Sequence, residues 1–324
     1  MDVSFLGGPQ PQRGVGVVAP FDFALDRELW RWVPDDVSLH LTRTPYVPVE
    51  VSLDLARLVS EHQTLREAVR ALTAVSPEVI AYACASGSFA DGRMGERAMT
   101  AAMSSAAAVP SLTTSGAMLT ALNEIGARRT AIVTPYTPSV TGALEEFLEE
   151  GGVEVTGRAS LGLTRHIWRV PYREVVDMAR IAVAHGSPDA LFISCTNLPT
   201  YDVIPQLEAE LRMPVLSANQ VTVWAALQRI GKEAVGPYQA LLDPAARLGW
   251  ASMAPPDATV LPDVTVLAAE PPARAPEVPA PPADVSAPPP APEAALAGSA
   301  HAPDPDAVDA VEPLWPDDPG QWPA

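Results

Sequence analysis

The chain has 324 residues, a formal net charge of −18 at pH 7 and only two cysteines. This length allows one or two α/β domains with a tail, and the acidic charge argues against nucleic acid or an anionic membrane as the main partner. The two cysteines lack C-x-x-C spacing and have no cluster of histidines nearby, which argues against a metal site.

The N-terminal region shows no basic segment followed by an apolar core, and no run of residues approaches the length of a membrane span. We therefore expect a cytoplasmic protein. Because cytosolic thiols are kept reduced, a disulfide between the two cysteines is disfavoured.

Residues 1–13 are rich in Gly, Pro and Gln, and we expect them to be flexible. From Gly14 to about Leu248, short runs of Val, Ile and Ala alternate with longer segments of helical periodicity. The predicted strands are Val15–Ala19, Ser38–Arg43, Val79–Cys84, Ser111–Thr113, Thr130–Thr134, Glu154–Ala159, Ala190–Cys195 and Val215–Ser217. The predicted helices are Asp54–Ala74, Gly92–Ala107, Gly116–Ile125, Val140–Glu150, Tyr172–Ala184, Ile204–Leu211 and Val221–Ile230.

This alternation is typical of βαβ units in an α/β fold with parallel sheets. Three motifs also recur in the same order, at offsets of 115, 111 and 104 residues. We therefore predict two pseudo-symmetric α/β halves that face each other across a cleft. The first half spans residues 14–126, with 229–250 packing back on it, and the second spans 127–228.

Residues 251–324 differ in composition from the rest of the chain. They hold twelve acidic residues and a single basic one, Arg274, and nineteen prolines fall between residues 255 and 324. Such a composition cannot bury enough apolar area to offset the entropy of ordering, so we predict a disordered acidic tail. The sequence does not identify a partner for this tail.

Each cysteine closes an apolar strand with similar flanking residues, in the segments Pro77–Ser88 and Pro188–Pro199. Ligands of open α/β sheets bind beyond the carboxyl ends of strands, so Cys84 and Cys195 are candidate catalytic residues. The alternative is that each thiol fills the core as a small hydrophobe. Matching positions at two matching motifs favour the active-site interpretation.

Small polar residues surround these cysteines and are candidate substrate ligands. Gly87 allows close approach of the backbone, and the Tyr136 hydroxyl follows another strand end. For the hydroxylic and amide residues the alternative is capping of a helix N-terminus. These residues are Ser86, Ser88, Thr196 and Asn197.

These motifs resemble the Asp/Glu racemase superfamily, and most of all its maleate cis-trans isomerase branch, which is related to arylmalonate decarboxylase and the ectoine-utilisation isomerase-like proteins. The resemblance covers residues 14–232 and lies in four segments: Ala83–Ser88, Thr134–Tyr136, Ser194–Leu198 and Pro214–Gln220. It implies a two-domain pseudo-dimeric fold, a small carboxylate substrate and no cofactor. By this resemblance, Cys84 adds to the substrate double bond and Cys195 acts as the opposite acid/base.

Two positions differ from the residues that the maleate isomerase branch would place there, and a third matches a residue of the racemases. Phe23 and His166 stand where the resemblance implies two substrate-binding asparagines, so a phenylalanine-lined pocket with a bulkier acid is expected. His166, Arg165 or Arg169 would then supply a cationic clamp. Asp22 matches an aspartate that racemases place beside the thiol, although it is equally suited to capping a helix.

We therefore expect a cofactor-independent isomerase of the maleate isomerase type, with or without self-association into a homo-oligomer. One alternative is an Asp/Glu-type racemase or an enzyme similar to arylmalonate decarboxylase. The other is a non-catalytic small-acid binding protein whose tail recruits a partner.

Overall fold

A computed structural model describes residues 12–246 except residues 185 and 244. The predictions of a flexible N-terminus and of a disordered tail at 251–324 lie outside the described residues, apart from residues 12 and 13. Arg13 is the first residue of a strand.

Two four-stranded parallel sheets form the framework. The first sheet has the order β2-β1-β3-β4 and the second the order β6-β5-β7-β8. The equivalent strands of the two sheets follow the same order along the chain, which confirms the predicted architecture of two similar halves. The strands are β1 (Arg13–Ala19), β2 (Val37–Arg43), β3 (Val79–Tyr82), β4 (Ser111–Thr113), β5 (Arg129–Thr134), β6 (Glu154–Ser160), β7 (Ala190–Ile193) and β8 (Val215–Ser217).

Helices connect these parallel strands, as a parallel sheet requires. Within the described residues, no helix is both long and apolar enough to cross a membrane. The helices are α1 (Asp26–Trp30), α2 (Leu53–Val59), α3 (His62–Thr73), α4 (Ala85–Phe89), α5 (Gly92–Ala107), α6 (Thr114–Glu124), α7 (Pro138–Glu150), α8 (Tyr172–Val183), α9 (Ile204–Leu211) and α10 (Ala218–Arg229).

The single helix predicted over Asp54–Ala74 is wrong, because the structure divides it at Ser60 and Glu61. The Glu61 side chain accepts hydrogen bonds from the backbone of Gln63 and Thr64 and so starts α3 afresh. This break turns α2 toward the end of β3, where the first cysteine lies.

The central strands β3 and β7 are buried along their whole length. Both read as continuous apolar runs because helices cover both faces of a parallel sheet. After α10, the chain returns to the first half: Val235 N–H donates to the Trp32 carbonyl (2.8 Å), and Gln239 Oε1 accepts from Trp32 Nε1 (2.8 Å). The two halves are thus held so that β3 and β7 end at a shared cleft.

Candidate active site

Cys84 and Cys195 line one cavity between the two halves. Each lies two residues beyond the end of its strand, β3 or β7, and both thiols are free and buried, with 4% and 7% of their surface exposed. The cavity has a volume of about 30 Å³, which is room for one or two water molecules. The described conformation is therefore a closed one.

A larger groove of about 660 Å³ lies between α5, α6 and α10 and has Trp224 in its wall. Neither cysteine lines it. Volume alone therefore does not locate the chemistry in this chain, and the small cavity with two thiols is the better candidate.

Cys84 is itself the N-cap of α4. Its Sγ accepts the Gly87 N–H (3.4 Å) and lies 3.8 Å from Ser86 Oγ. The Tyr82 hydroxyl, which donates to the Val59 carbonyl (2.9 Å), also interacts with this thiol. A Cβ atom on Gly87 would lie 2.5 Å from Tyr82 Oη and 3.2 Å from Cys84 Sγ, so only glycine fits beneath the thiol.

Cys195 has a backbone φ of +90°, a region that L-residues rarely adopt. Its Sγ accepts the Asn197 N–H (3.4 Å) and a hydrogen bond from Tyr136. Residues in such conformations persist where the surrounding structure imposes them, and they cluster at functional sites. The strained backbone aims this thiol into the cavity.

We expect Cys195→Gly to be more stable than Cys195→Ala by about 1–2 kcal/mol, because glycine adopts φ = +90° without a Cβ clash. Urea unfolding of the two variants measures this difference. The control is the same pair at Cys84, where φ is −147° and glycine should be the less stable residue. Equal stability of the two Cys195 variants would show that its backbone carries no strain.

Burial is the largest influence on both thiols. It raises the pKa of Cys84 above its ordinary value and the pKa of Cys195 to about 12. The N–H groups of Gly87 and Asn197 lower these pKa values, but by less than burial raises them. Both side chains are therefore protonated at neutral pH.

Asp22 supplies the carboxyl group of the cavity. Burial raises its pKa, and its charge raises the pKa of both Cys84 and Cys195. It does not cap the following helix, whose N-cap is Leu25. The carboxyl group therefore interacts electrostatically with both thiols.

Asn197 and Thr196 also line the cavity, but the Asn197 side chain joins the two halves and the Thr196 carbonyl is bonded within the second half. Asn197 Oδ1 accepts the Ala24 N–H (2.9 Å), and Asn197 Nδ2 donates to the Asp22 carbonyl (3.2 Å). The Thr196 carbonyl accepts from Asn219 Nδ2 (2.9 Å). Asn197 therefore fixes the loop that carries Asp22.

The other residues predicted to bind substrate fall at different depths. Tyr136 and Ser86 line the cavity beside the thiols. Ser88 lies below it, where its hydroxyl donates to the Cys84 carbonyl (2.6 Å) and contacts Ser115 Oγ (2.7 Å). His166 lies in an outer cavity, with its ring edge-to-face against Trp168.

The prediction of a phenylalanine-lined pocket at Phe23 is wrong. That side chain is 3% exposed and packs in the hydrophobic core, so its neighbour Asp22 faces the cavity instead. The nearest phenylalanine on the access route is Phe21, which lines the outer cavity and packs edge-to-face on Tyr46 with ring centroids 5.2 Å apart.

The outer cavity has a volume of about 370 Å³ and shares Asp22, Val51 and Leu55 with the inner one. These side chains separate the thiols from solvent. Val51 N–H donates to the Thr164 carbonyl (3.0 Å), and Arg165 forms an ion pair with Glu50 beside it. Arg165 is therefore engaged with the covering loop of the first half.

Sequence reasoning missed Tyr82, because a tyrosine inside an apolar strand reads as core. It also missed Val51 and Leu55, since apolar residues of a loop and a helix carry no chemical signal. Among the described residues, no group of three or more His, Cys, Asp and Glu side chains could hold a metal ion.

Comparison with known proteins shows what this arrangement is similar to. The family model described as arylmalonate decarboxylase matches residues 59–242. Arylmalonate decarboxylase of Bordetella bronchiseptica is 36% identical over 147 residues, which cover 44% of this chain and 61% of that protein. Maleate isomerase of Alcaligenes faecalis is 28% identical over 164 residues, which cover 48% of this chain and 64% of that protein. The chain thus aligns with less than two thirds of the length of these curated relatives.

Solved structures agree over a longer span. A liganded mutant of arylmalonate decarboxylase, in which a glycine is replaced by cysteine and a cysteine by serine, is 28% identical with a TM-score of 0.67. The match covers 72% of this chain and all of that one. The maleate isomerase of Pseudomonas putida S16 has a TM-score of 0.65 at 22% identity, over 71% of this chain and 98% of that one, and so shows the shared fold.

Proposed function

The chain belongs to the arylmalonate decarboxylase family, and on that premise we propose that it is a cofactor-independent isomerase of the maleate isomerase type. The observation that carries the proposal is the pair of free cysteines, Cys84 and Cys195, in one enclosed cavity. A second thiol gives the site a group on each side of a bound substrate. That arrangement suits addition to a double bond and its reversal.

Cys84 is the nucleophile in this proposal. Two donors lower the pKa of its thiol: the Gly87 N–H and the Ser86 hydroxyl. The thiolate, and not the thiol, is the nucleophilic form. These donors would stabilise the thiolate once its proton has been lost to solvent.

Cys195 is the acid/base partner, since its pKa of about 12 keeps it protonated. As the Cys84 sulfur bonds to one alkene carbon, the thiol of Cys195 gives its proton to the other. The former double bond is then single and rotates. Return of the proton to Cys195 and cleavage of the carbon–sulfur bond release the trans diacid, so atoms and electrons balance.

The substrate carboxylates would be held by neutral donors. Ala85 and Ser86 begin α4, and the first N–H groups of a helix have no partner within it. The hydroxyl of Tyr136 lines the same cavity. Such preorganised donors stabilise an enediolate in a water-poor site. The described cavity of about 30 Å³ must open at Val51 and Leu55 to admit a diacid.

The second candidate is decarboxylation of an aryl-substituted malonate, in which Cys195 protonates the enediolate left by loss of CO₂. Its high pKa suits a proton donor, and the Bordetella relative is named for that reaction. The aromatic walls of the outer cavity, Phe21 and Tyr46, would accommodate an aryl group. Here Cys84 would need to stay protonated.

The dependence of rate on pH separates the two reactions. Burial raises the pKa of Cys84 above the ordinary value of a thiol, so its thiolate fraction should grow about tenfold per pH unit between pH 7 and 9. We expect kcat/KM for conversion of maleate to fumarate, measured by absorbance, to rise with it. Decarboxylation through the Cys195 thiol should stay flat in this range, because a pKa of about 12 keeps it protonated.

An isomerisation rate that falls across the same range would contradict the role of Cys84 as nucleophile. Turnover of neither maleate nor an arylmalonate would contradict both candidates.

We also propose that the protein works in the cytoplasm. Both cysteines are free, and the proposed chemistry needs them reduced. Reducing compartments keep such thiols from pairing.

A further inference from the structure

Glu28 is a buried carboxylate on α1 of the first half, with 7% of its surface exposed. Its oxygens accept three hydrogen bonds from the second half: the Thr200 N–H (2.9 Å), the Thr200 hydroxyl (2.8 Å) and Asn219 Nδ2 (3.1 Å). A buried carboxylate is costly unless its oxygens are satisfied. These three donors provide the hydrogen bonds that the Glu28 carboxylate needs, and all of them belong to the other half.

Both partners of Glu28 lead directly to the loop of Cys195. Thr200 lies two residues beyond the turn that the Leu198 N–H closes on the Cys195 carbonyl (3.2 Å), and its hydroxyl also contacts Ser217 Oγ (2.9 Å). Asn219 Nδ2 donates to the Thr196 carbonyl (2.9 Å) as well as to Glu28. The carboxylate therefore bonds directly to the chain that follows this turn and is linked through Asn219 to Thr196 inside it.

The turn needs such support because Cys195 lies at φ = +90° and would relax without it. Asn197 provides a second connection, through Ala24 N–H and the Asp22 carbonyl. Asn197 lies inside the cavity, whereas Glu28 lies behind it and does not line it. Glu28 can therefore act only through the loop it holds.

We propose that Glu28 is a positioning residue that fixes the Cys195 turn of one half against the other, so that the Cys195 thiol stays aimed at Cys84. This inference rests on the proposed function for its catalytic consequence, but the geometric part stands on the contacts alone. Loss of the carboxylate should free the turn and expose Cys195, while the Cys84 loop keeps its own support from Gly87 and Tyr82.

The test compares Glu28→Gln with Asp26→Asn. Glutamine keeps the shape of Glu28 but turns one acceptor into a donor facing other donors. Asp26 is on the same helix and pairs with Arg43 of the first half, so its variant controls for a charge lost from α1. Thr200→Val removes the hydroxyl that donates to Glu28 from the second half. It replaces Glu28→Gln in the test if that variant folds poorly.

The first readout needs no substrate. The rate of alkylation by iodoacetamide is followed separately at Cys195 and Cys84 by peptide mass spectrometry. We expect Glu28→Gln to speed alkylation of Cys195 about tenfold, because burial both shields this thiol from the reagent and raises its pKa, and to leave Cys84 within about twofold. A general loss of stability would speed both sites together, and that result would overturn the proposal.

The second readout is turnover of maleate. We expect kcat to fall about tenfold with KM unchanged, since Glu28 does not touch the cavity. If Glu28→Gln exposes Cys195 selectively but the unaltered protein turns over no acid, the positioning role stands and the proposed function fails. If Glu28→Gln turns over maleate normally and its Cys195 is alkylated at the unaltered rate, the positioning role is overturned and the proposed function stands.

Discussion

Replacement of Cys84 or Cys195 by serine is expected to lower kcat/KM for conversion of maleate to fumarate by at least about a thousandfold. A serine hydroxyl ionises far less readily than a thiol, so Cys84→Ser loses the nucleophile and Cys195→Ser loses the proton donor. Both thiols are buried, and serine preserves their shape closely enough for folding. Initial rates of the purified variants measure the loss.

The double variant tests whether the thiols act as a unit. Because full turnover needs both groups, its loss should be no larger than that of the more damaging single variant. Thermal unfolding serves as the control for intact structure. A single variant that keeps within about tenfold of full activity would exclude its cysteine from the reaction.

Gly87→Ala is expected to reduce activity strongly and to destabilise the fold by about 1–3 kcal/mol. The new Cβ would lie 2.5 Å from Tyr82 Oη and 3.2 Å from Cys84 Sγ, and these atoms belong to side chains fixed inside the core. The thiol or the tyrosine must therefore move, and the hydrogen bonds that stabilise the Cys84 thiolate are lost. Urea unfolding and the rate of maleate conversion measure the two effects.

Gly142→Ala is the matched control. This glycine lies inside helix α7, and a Cβ there would meet no atom within 4 Å. Alanine should stabilise the helix by about 0.5–1 kcal/mol and leave turnover unchanged. Activity of Gly87→Ala equal to that of Gly142→Ala would show that the space under Cys84 does not matter.

The strands of this fold were predictable from sequence, because β3 and β7 are apolar runs bounded by turn residues. Their ends were placed two residues too far along the chain, at Cys84 and Cys195 instead of Tyr82 and Ile193. The difference has a physical meaning. The chain leaves the ladder before each cysteine, so the thiols belong to turns and can face a ligand.

The details of the site depended on how the two halves meet. Asn197 reads as a substrate ligand in sequence, yet its side chain bonds to Ala24 and Asp22, more than 170 positions away. Glu28 carries no functional signal in the sequence, yet docking of the second half buries it. Contacts of this kind leave no periodic pattern in the sequence.

The most direct test of the account is to incubate the Cys195→Ser protein with maleate and to locate any added mass by peptide mass spectrometry. Without the thiol at residue 195, the Cys84 thiolate should still attack, with water supplying the proton in place of Cys195, and the site should turn over slowly. The account predicts one substrate-derived adduct, on Cys84, that is absent from Cys84→Ser. An unmodified Cys84 in a protein that still forms fumarate would contradict covalent addition by this thiol.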